Sequence, residues 1–389
     1  MKLVVHVLAI CTINPYSGTY MAAHVPPFQP SVPHDALPLL PPPAHVTDSI
    51  PVLRREADAR QALAELKGVA HIIPNQAILI NAMALREAKD SSAIENIITT
   101  QDKLYRAEAA GSTATVDPPT KEVMRYRSAL RIGESLVRDH GFLSVNHIIG
   151  IQKEIVGNDA GLRATPGTAL VNDRTGEIVY TPPQNPDVIR TLLSNFADHF
   201  NRDATSLADM AILHYQFETI HPFLDGNGRT GRILNVLYLI LKGYLDIPIL
   251  YPSSFIIEHK DEYYRFLRAV TASGEWEQWI LFMLDSIRVT SMDTIHTVRE
   301  IREELDRTVD EVRTKLPRIY TKELVETLFV HPYTKIEFLV NALGVERKAA
   351  SRYLQSVEEL GLLENQKVGR EKIYINLRLM TILSRKTAV

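Results

Sequence analysis

The chain has 389 residues, 45% of them hydrophobic and 23% charged, with a formal net charge of -3. That length exceeds one ordinary core and that composition belongs to a globular chain, which excludes a disordered tail, a membrane bundle and, on overall charge, a dedicated polyanion binder. The single cysteine, Cys11, excludes an intramolecular disulfide framework and a Cys-based zinc site, and it fits a reducing compartment such as the cytoplasm.

Lys2 and the apolar run 3–13 have the length of a signal-peptide core and fall far short of the roughly 20 residues that span a bilayer. No convincing small-residue cleavage pattern follows, so the start is read as untargeted, with Met21 as an alternative first residue. No other stretch approaches a transmembrane length. Prolines punctuate 21–51, with Pro41, Pro42 and Pro43 in a row, which predicts extended backbone that wraps a surface or links two parts. Apolar residues at three- and four-residue spacing then predict helices at 58–66, 77–89, 122–139 and 143–156, with a break at Pro74.

The period changes at 167–181. Two apolar runs, 169–171 and 178–180, flank Asn172-Asp173-Arg174-Thr175-Gly176, the pattern of a β-hairpin. Helical spacing returns at 188–201, 207–218 and 229–244, the last with an apolar stripe wide enough to be buried, and then at 259–271, 276–287 and 290–315, closed by Pro317. Beyond Pro317 come short helices at 322–329, 335–343 and 347–360, a turn at Gly344, and two strand-like runs around Gly369. This is the order of a winged helix-turn-helix.

The densest chemistry is His221-Pro222-Phe223-Leu224-Asp225-Gly226-Asn227-Gly228-Arg229-Thr230-Gly231-Arg232, which runs straight into the apolar helix. Gly226 and Gly228 allow close backbone approach, and the free N–H groups of a helix start attract an anion. Arg229 and Arg232, three apart, project toward the same anion from the first turn. Asp225 at the mouth of an anion site calls for a bridging cation, for which Mg²⁺ is the candidate. His221 is placed as a general base for an attacking hydroxyl.

This segment resembles the signature of the Fic family, His-Pro-Phe-x-Asp-Gly-Asn-Gly-Arg-x-x-Arg, at every defined position. The resemblance implies a mainly α fold: a helical core with a β-hairpin flap, plus a C-terminal winged helix-turn-helix. It implies transfer of AMP from ATP to a Ser, Thr or Tyr hydroxyl of a protein. His221 would then be the base, Asp225 the Mg²⁺ ligand, and Gly226, Asn227, Gly228, Arg229, Thr230, Gly231 and Arg232 the phosphate-binding run. Tyr263 looks like the position that packs on the nucleotide, although a tyrosine there is equally compatible with the core. The hairpin at 167–181 resembles the flap that holds the target segment by strand addition.

Upstream, Ser91-Ser92-Ala93-Ile94-Glu95-Asn96 reads in two ways. Ser92 and Glu95 have the spacing of a capping box that starts a helix. Ser91 and Glu95-Asn96 also match the family's inhibitory motif, which implies Glu95 paired with Arg232 where the ATP γ-phosphate would sit. The second reading is the one preferred here.

The expected division is 1–125 for the proline-rich arm and inhibitory helices, 126–300 for the catalytic unit, 301–317 for the end of a linking helix and 318–389 for the winged helix. Arg347, Lys348 and Arg352, with Lys367, Arg370 and Lys372 on the wing, offer cations to a DNA backbone, diluted by Glu346, Glu358 and Glu359. Two rival functions remain at this level: hydrolytic removal of AMP with Glu95 positioning water, and a nucleotide-sensing DNA-binding regulator. A homodimer is a family-level expectation, and no membrane partner is expected.

Overall fold

The computed structural model describes residues 28–110, 116–172, 174–203, 206–368 and 371–385. The expectations for Cys11, the run 3–13 and Met21 lie outside these residues, as do the turn residues Asp173, Gly369 and Arg370.

From residue 28 on, the proline-rich segment wraps rather than links. His34 donates its backbone N–H to Thr181 O (3.0 Å), Thr181 Oγ1 donates to Pro30 O (2.7 Å), and Asn195 clasps both backbone groups of Leu40. Leu37 and Leu40 of this segment are buried. A short 3₁₀ turn, Ala44–Val46, leads into α1 (Ile50–Ala70), which Ser49 caps by accepting from Val52 N.

α2 (Gln76–Ile94), capped by Asn75, is followed by α3 (Gln101–Ala110), an element the apolar spacing did not single out. α4 (Pro118–His140) starts on Asp117 with Pro118 in its first turn and ends on left-handed Gly141. It therefore runs through the division expected at 125. α5 (Val145–Val156) stops at left-handed Gly157.

The hairpin is present: β1 (Leu170–Val171) pairs antiparallel with β2 (Ile178–Tyr180), with an irregularity after Leu170. α6 (Pro186–Phe200), α7 (Leu207–Ile220) and α8 (Asn227–Leu241) follow. α7 is buried on every side, and with α8 it forms the centre of the core, which α4, α5, α6 and α11 enclose. α9 (Ser253–Glu258) packs on α2, and α10 (Lys260–Ser273) follows it.

The helices expected at 276–287 and 290–315 are one helix. α11 (Trp276–Lys315) runs for 40 residues without interruption. Arg288 and Val289 carry no helix-breaking chemistry, so a change in the apolar pattern marks a change of packing partner, not an end. α1 lies along this helix.

α12 (Lys322–Val330), β3 (Tyr333–Thr334), α13 (Ile336–Leu343), α14 (Arg347–Glu359), β4 (Glu364–Val368) and β5 (Glu371–Ile375) make the C-terminal unit, whose sheet order is β3-β5-β4. α15 (Leu377–Ser384) returns to pack on α11. Among the described residues, no helix is long and apolar enough to cross a membrane.

Candidate active site

The loop between α7 and α8 is built by three local rules. Pro222 stops α7, and the residue before it is pushed out of the right-handed region. His221 accordingly caps α7 with φ +49°, one of the few non-glycine residues held at positive φ. Such a conformation persists only when its surroundings enforce it. Arg163 supplies the enforcement: its side chain is buried, Nε donates to His221 O (2.7 Å), Nη2 donates to Ile220 O (3.2 Å), and its backbone N–H donates to Pro222 O.

Gly226 then turns the chain at φ +79° with Val156 Cγ1 only 3.0 Å from where a Cβ would stand. No side chain caps α8, so the amides of its first turn are left to an anion. Asn227 does not reach toward that anion. Its carboxamide is spent on the loop, accepting from Phe223 N (2.9 Å) and donating to Phe223 O (2.8 Å). Gln152 adds a donor to Asp225 O.

Burial and the positive charge of Arg163 press the His221 pKa down to about 4, so the half-buried ring is neutral and free to accept a proton at neutral pH. Asp225 stands at the mouth with its side chain 67% exposed, and its Oδ1 accepts from Arg229 Nη2 at 3.1 Å.

Both arginines of the loop are buried and carboxylates hold them. Arg229 Nε donates to Glu95 Oε2 (3.0 Å), Nη1 to Glu122 and Nη2 to Asp225. Arg232 Nε donates to Ser91 Oγ (2.7 Å), and Nη2 donates to Ser91 O (2.9 Å) and to Glu95 Oε1 (2.7 Å). One carboxylate therefore bridges two guanidinium groups, where only the contact with Arg232 was expected. Burial opposes the charge on Glu95, but Arg232 and Arg229 outweigh it and keep its pKa below the usual range. Gly228 makes room for the bridge, because a Cβ there would lie 2.4 Å from Glu95 Oε1.

The structure bears on the capping-box reading of 91–96. Ser91 and Ser92 are buried in the last turn of α2, and Glu95 is its C-cap, followed by Asn96 at φ +63°. A helix ends here, so the capping box that would start one is absent.

Three residues expected at the nucleotide are buried in the protein. Tyr263 is 2% exposed, hydrogen-bonds His214 Nε2 at 2.9 Å and packs among Trp279, Phe282 and His214; it is a core residue. Its neighbour Tyr264, a helical step of about 100° further round, is 40% exposed. Thr230 has no exposed surface and its hydroxyl lacks a hydrogen-bond partner. Gly231 lies against Glu218, whose Oε1 would stand 2.6 Å from an added Cβ.

Arg163, Glu122 and Glu218 were not singled out in the sequence. Glu218 was the most visible of them, a charge two residues before the end of a largely apolar, buried helix. It has a buried, unpartnered Oε1, and burial raises its pKa to about 7. At the far end of the chain, Arg347, Lys348, Arg352, Lys367 and Lys372 are exposed, as are Glu346 and Glu359.

Comparison with known proteins agrees with this architecture. Family models match in chain order: the Fic/DOC family N-terminal domain over 53–135, the Fic/DOC family domain over 142–239, and the C-terminal domain described as protein adenylyltransferase SoFic-like over 305–379. The protein adenylyltransferase fic-1 of Caenorhabditis elegans is 29% identical over 152 residues, which is 38% of this chain and 28% of that protein. The protein adenylyltransferase Fic of Drosophila willistoni is 31% identical over 112 residues, 28% of this chain and 21% of its own length. The chain thus spans about a quarter of the length of the curated relatives it matches.

Among solved structures, a Fic family protein from Desulfovibrio desulfuricans G20 superposes with a TM-score of 0.56 at 18% identity, covering 86% of this chain and 98% of that one. A Fic domain containing signaling protein from Bacteroides thetaiotaomicron gives 0.51 at 18% identity, covering 62% and 97%. With its N-terminal, central and C-terminal parts each matched, the chain belongs to the Fic/DOC family.

Proposed function

We propose that this protein transfers AMP from ATP to a Ser, Thr or Tyr hydroxyl of a protein and that Glu95 restrains the reaction. The observation that carries the proposal is the pair of buried arginines, Arg229 and Arg232, at the uncapped start of α8, a few residues from a neutral His221 on a pinned turn.

The target oxygen attacks the α-phosphorus while His221 takes the hydroxyl proton. The bond from that phosphorus to the oxygen bridging the α- and β-phosphates breaks, and pyrophosphate leaves. Arg229, Arg232 and the first amides of α8 hold the charge on the departing phosphates. Asp225, largely exposed at the mouth, is a carboxylate of the kind Mg²⁺ takes from a protein alongside substrate phosphates. Asp225 would be the side chain to hold Mg²⁺, which would supply positive charge against the charge on the phosphates. The edge of the β1–β2 hairpin suits an extended target segment. The C-terminal unit, read as a winged helix, is a contact module for protein or DNA.

Glu95 occupies donors of both arginines that a triphosphate needs, so nucleotide competes with it. The test is label transfer from α-labelled ATP with Mg²⁺ into the protein itself. Weak label in the wild type, strong label in Glu95→Gly and none in Glu95→Gly combined with His221→Ala are expected. No label in Glu95→Gly overturns the reading and favours hydrolysis assisted by Glu95.

A further inference from the structure

Glu95 sits at a corner where α2 ends and, at Gln101, α3 begins. Ile97 donates its backbone N–H back to Ser92 O (3.0 Å), so it belongs to the corner, and residues 98–100 are all that join the corner to α3. So short a link reaches about 10 Å at full extension. Ile98 is exposed and Thr99 bonds Thr120 of α4 (2.5 Å), which leaves little slack to absorb a shift of α3.

α3 is 10 residues long, below the roughly 12–15 at which a helix is marginal by itself in water, so its order comes from what it packs on. Part of that support is the helical core, reached by buried Leu104 and by Glu108, which pairs with Arg127 of α4 at 2.7 Å. The rest is the C-terminal unit. Tyr105, buried, stacks on Tyr333 of β3 with ring centroids 5.4 Å apart. The Tyr333 hydroxyl donates to Asp102 Oδ1 (2.7 Å), Arg106 donates to Gln366 of β4, and Gln101 Nε2 donates to Leu383 O of α15 (3.3 Å). Positions 101, 102, 105 and 106 share one side of a helix, so a whole face of α3 is spent on that unit.

The same unit holds α2. Asn75 Nδ2 donates to Glu326 Oε2 (3.1 Å) and Asn81 Nδ2 donates to Val330 O (3.4 Å), both on α12. Helices on both sides of Glu95 are therefore packed against the C-terminal unit. Its grip on α3 converges at Tyr333, which contributes the stack on Tyr105, the bond to Asp102 and a ring face 5.9 Å from the Arg106 guanidinium.

We propose that Tyr333 is a positioning residue for Glu95, so that the C-terminal unit sets the restraint on the nucleotide site. While β3 is stacked on α3, the corner keeps the Glu95 carboxylate between Arg229 and Arg232. When β3 is drawn off, α3 loses part of what orders it, the link 98–100 goes slack, and Glu95 yields the arginines to phosphate. The effect on activity rests on the restraint proposed above; the mechanical tie from Tyr333 to the corner does not.

The test combines amide hydrogen exchange of the full chain with label transfer from α-labelled ATP, in the wild type, Tyr333→Ala and Tyr333→Phe, each with and without Glu95→Gly. In Tyr333→Ala, exchange at the Glu95, Asn96 and Ile97 amides is expected to be at least about tenfold faster and exchange along α8 unchanged. Tyr333→Phe, which keeps the stack and loses only the bond to Asp102, should fall in between. Unchanged exchange at the corner, or equal acceleration along α8, overturns the tie. Label incorporation should rise at least about fivefold in Tyr333→Ala, less in Tyr333→Phe, and not at all where Glu95→Gly is already present. With Glu95→Gly labelled, an unchanged rate in Tyr333→Ala, or a rise of the same size on top of Glu95→Gly, overturns the positioning role. No label in Glu95→Gly itself overturns the restraint and leaves the exchange result to decide the tie.

Discussion

Removing Glu95 should make the protein less stable and more active at once, and the two effects share one origin. In the resting protein the Glu95 carboxylate accepts from Arg229 at 3.0 Å and from Arg232 at 2.7 Å. A charge-assisted hydrogen bond is worth roughly 1.5–3 kcal/mol, and the lower end applies because the Glu95 side chain is 25% exposed. Arg229 keeps Glu122 and Asp225, whereas Arg232 keeps only Ser91. Glu95→Gly should therefore cost about 3 kcal/mol, or roughly 5–10 °C in melting temperature. If the same contacts hold the nucleotide site shut, label incorporation rises about 100-fold, because each 1.36 kcal/mol is worth a factor of ten. Melting is best measured in a His221→Ala background, where self-modification cannot intervene. Mg-ATP should then raise the melting temperature of the Glu95→Gly chain by several degrees more than that of the Glu95 chain, since its phosphates replace the lost carboxylate. Equal melting temperatures with equal nucleotide shifts would refute the claim that Glu95 and nucleotide compete for these arginines.

Gly228→Ala places a methyl 2.4 Å from Glu95 Oε1 and 2.9 Å from Arg232 Nη1, in space that carboxylate and phosphate both need. Introduced into Glu95→Gly, it should abolish label incorporation and the nucleotide-induced melting shift; retained activity would show that the phosphates lie elsewhere. Arg163→Ala frees the His221 turn and should lower kcat at least tenfold with KM for ATP little changed, while Arg163→Lys recovers part of the loss because one donor can still reach a carbonyl; a fall expressed only in KM would count against a positioning role. Glu218 has a folded pKa raised to about 7, so the folded state binds more protons than the unfolded one above pH 4.5 and loses stability as pH rises toward 7. Glu218→Gln removes that penalty: its advantage in urea denaturation should be small at pH 4.5 and grow to at most about 3 kcal/mol at pH 8. The same difference at both pH values would rule out ionisation as the cause.

The loop 221–232 was legible because its chemistry is local. Pro222, the flanking glycines and the two arginines sit at fixed offsets in one segment, so a turn, a cradle and a helix start follow from the string itself. Arg163 was not legible because it reaches His221 from 58 positions upstream, and only the folded chain brings them together. Tyr263 went to the core because adjacent positions on α10 face in different directions, and nothing in a Tyr-Tyr pair says which ring turns inward. At 91–96 the serine-to-glutamate spacing fits the start of a helix as well as its end. Asn96, a residue that tolerates the left-handed conformation, was the available sign of an end. α4 and α11 each run through a boundary of the expected division, as the helices expected at 122–139 and 290–315 already did.

A helix of 40 residues spans about 60 Å, and α11 uses that length as a spine. Its first turns carry Trp279, whose indole N–H donates to Ala211 O of α7 inside the helical core, and its C-terminal part carries Leu305 and Val312, both buried. The helical core around α7 and α8 and the C-terminal unit are thus mounted on one continuous rod instead of being tied by a tether. Cutting the chain near 317 would strip the cover from that apolar stripe, so a truncated form invites self-association. A load applied to the C-terminal unit, by whatever it docks on, would be delivered along the rod to α7, the helix that ends at His221.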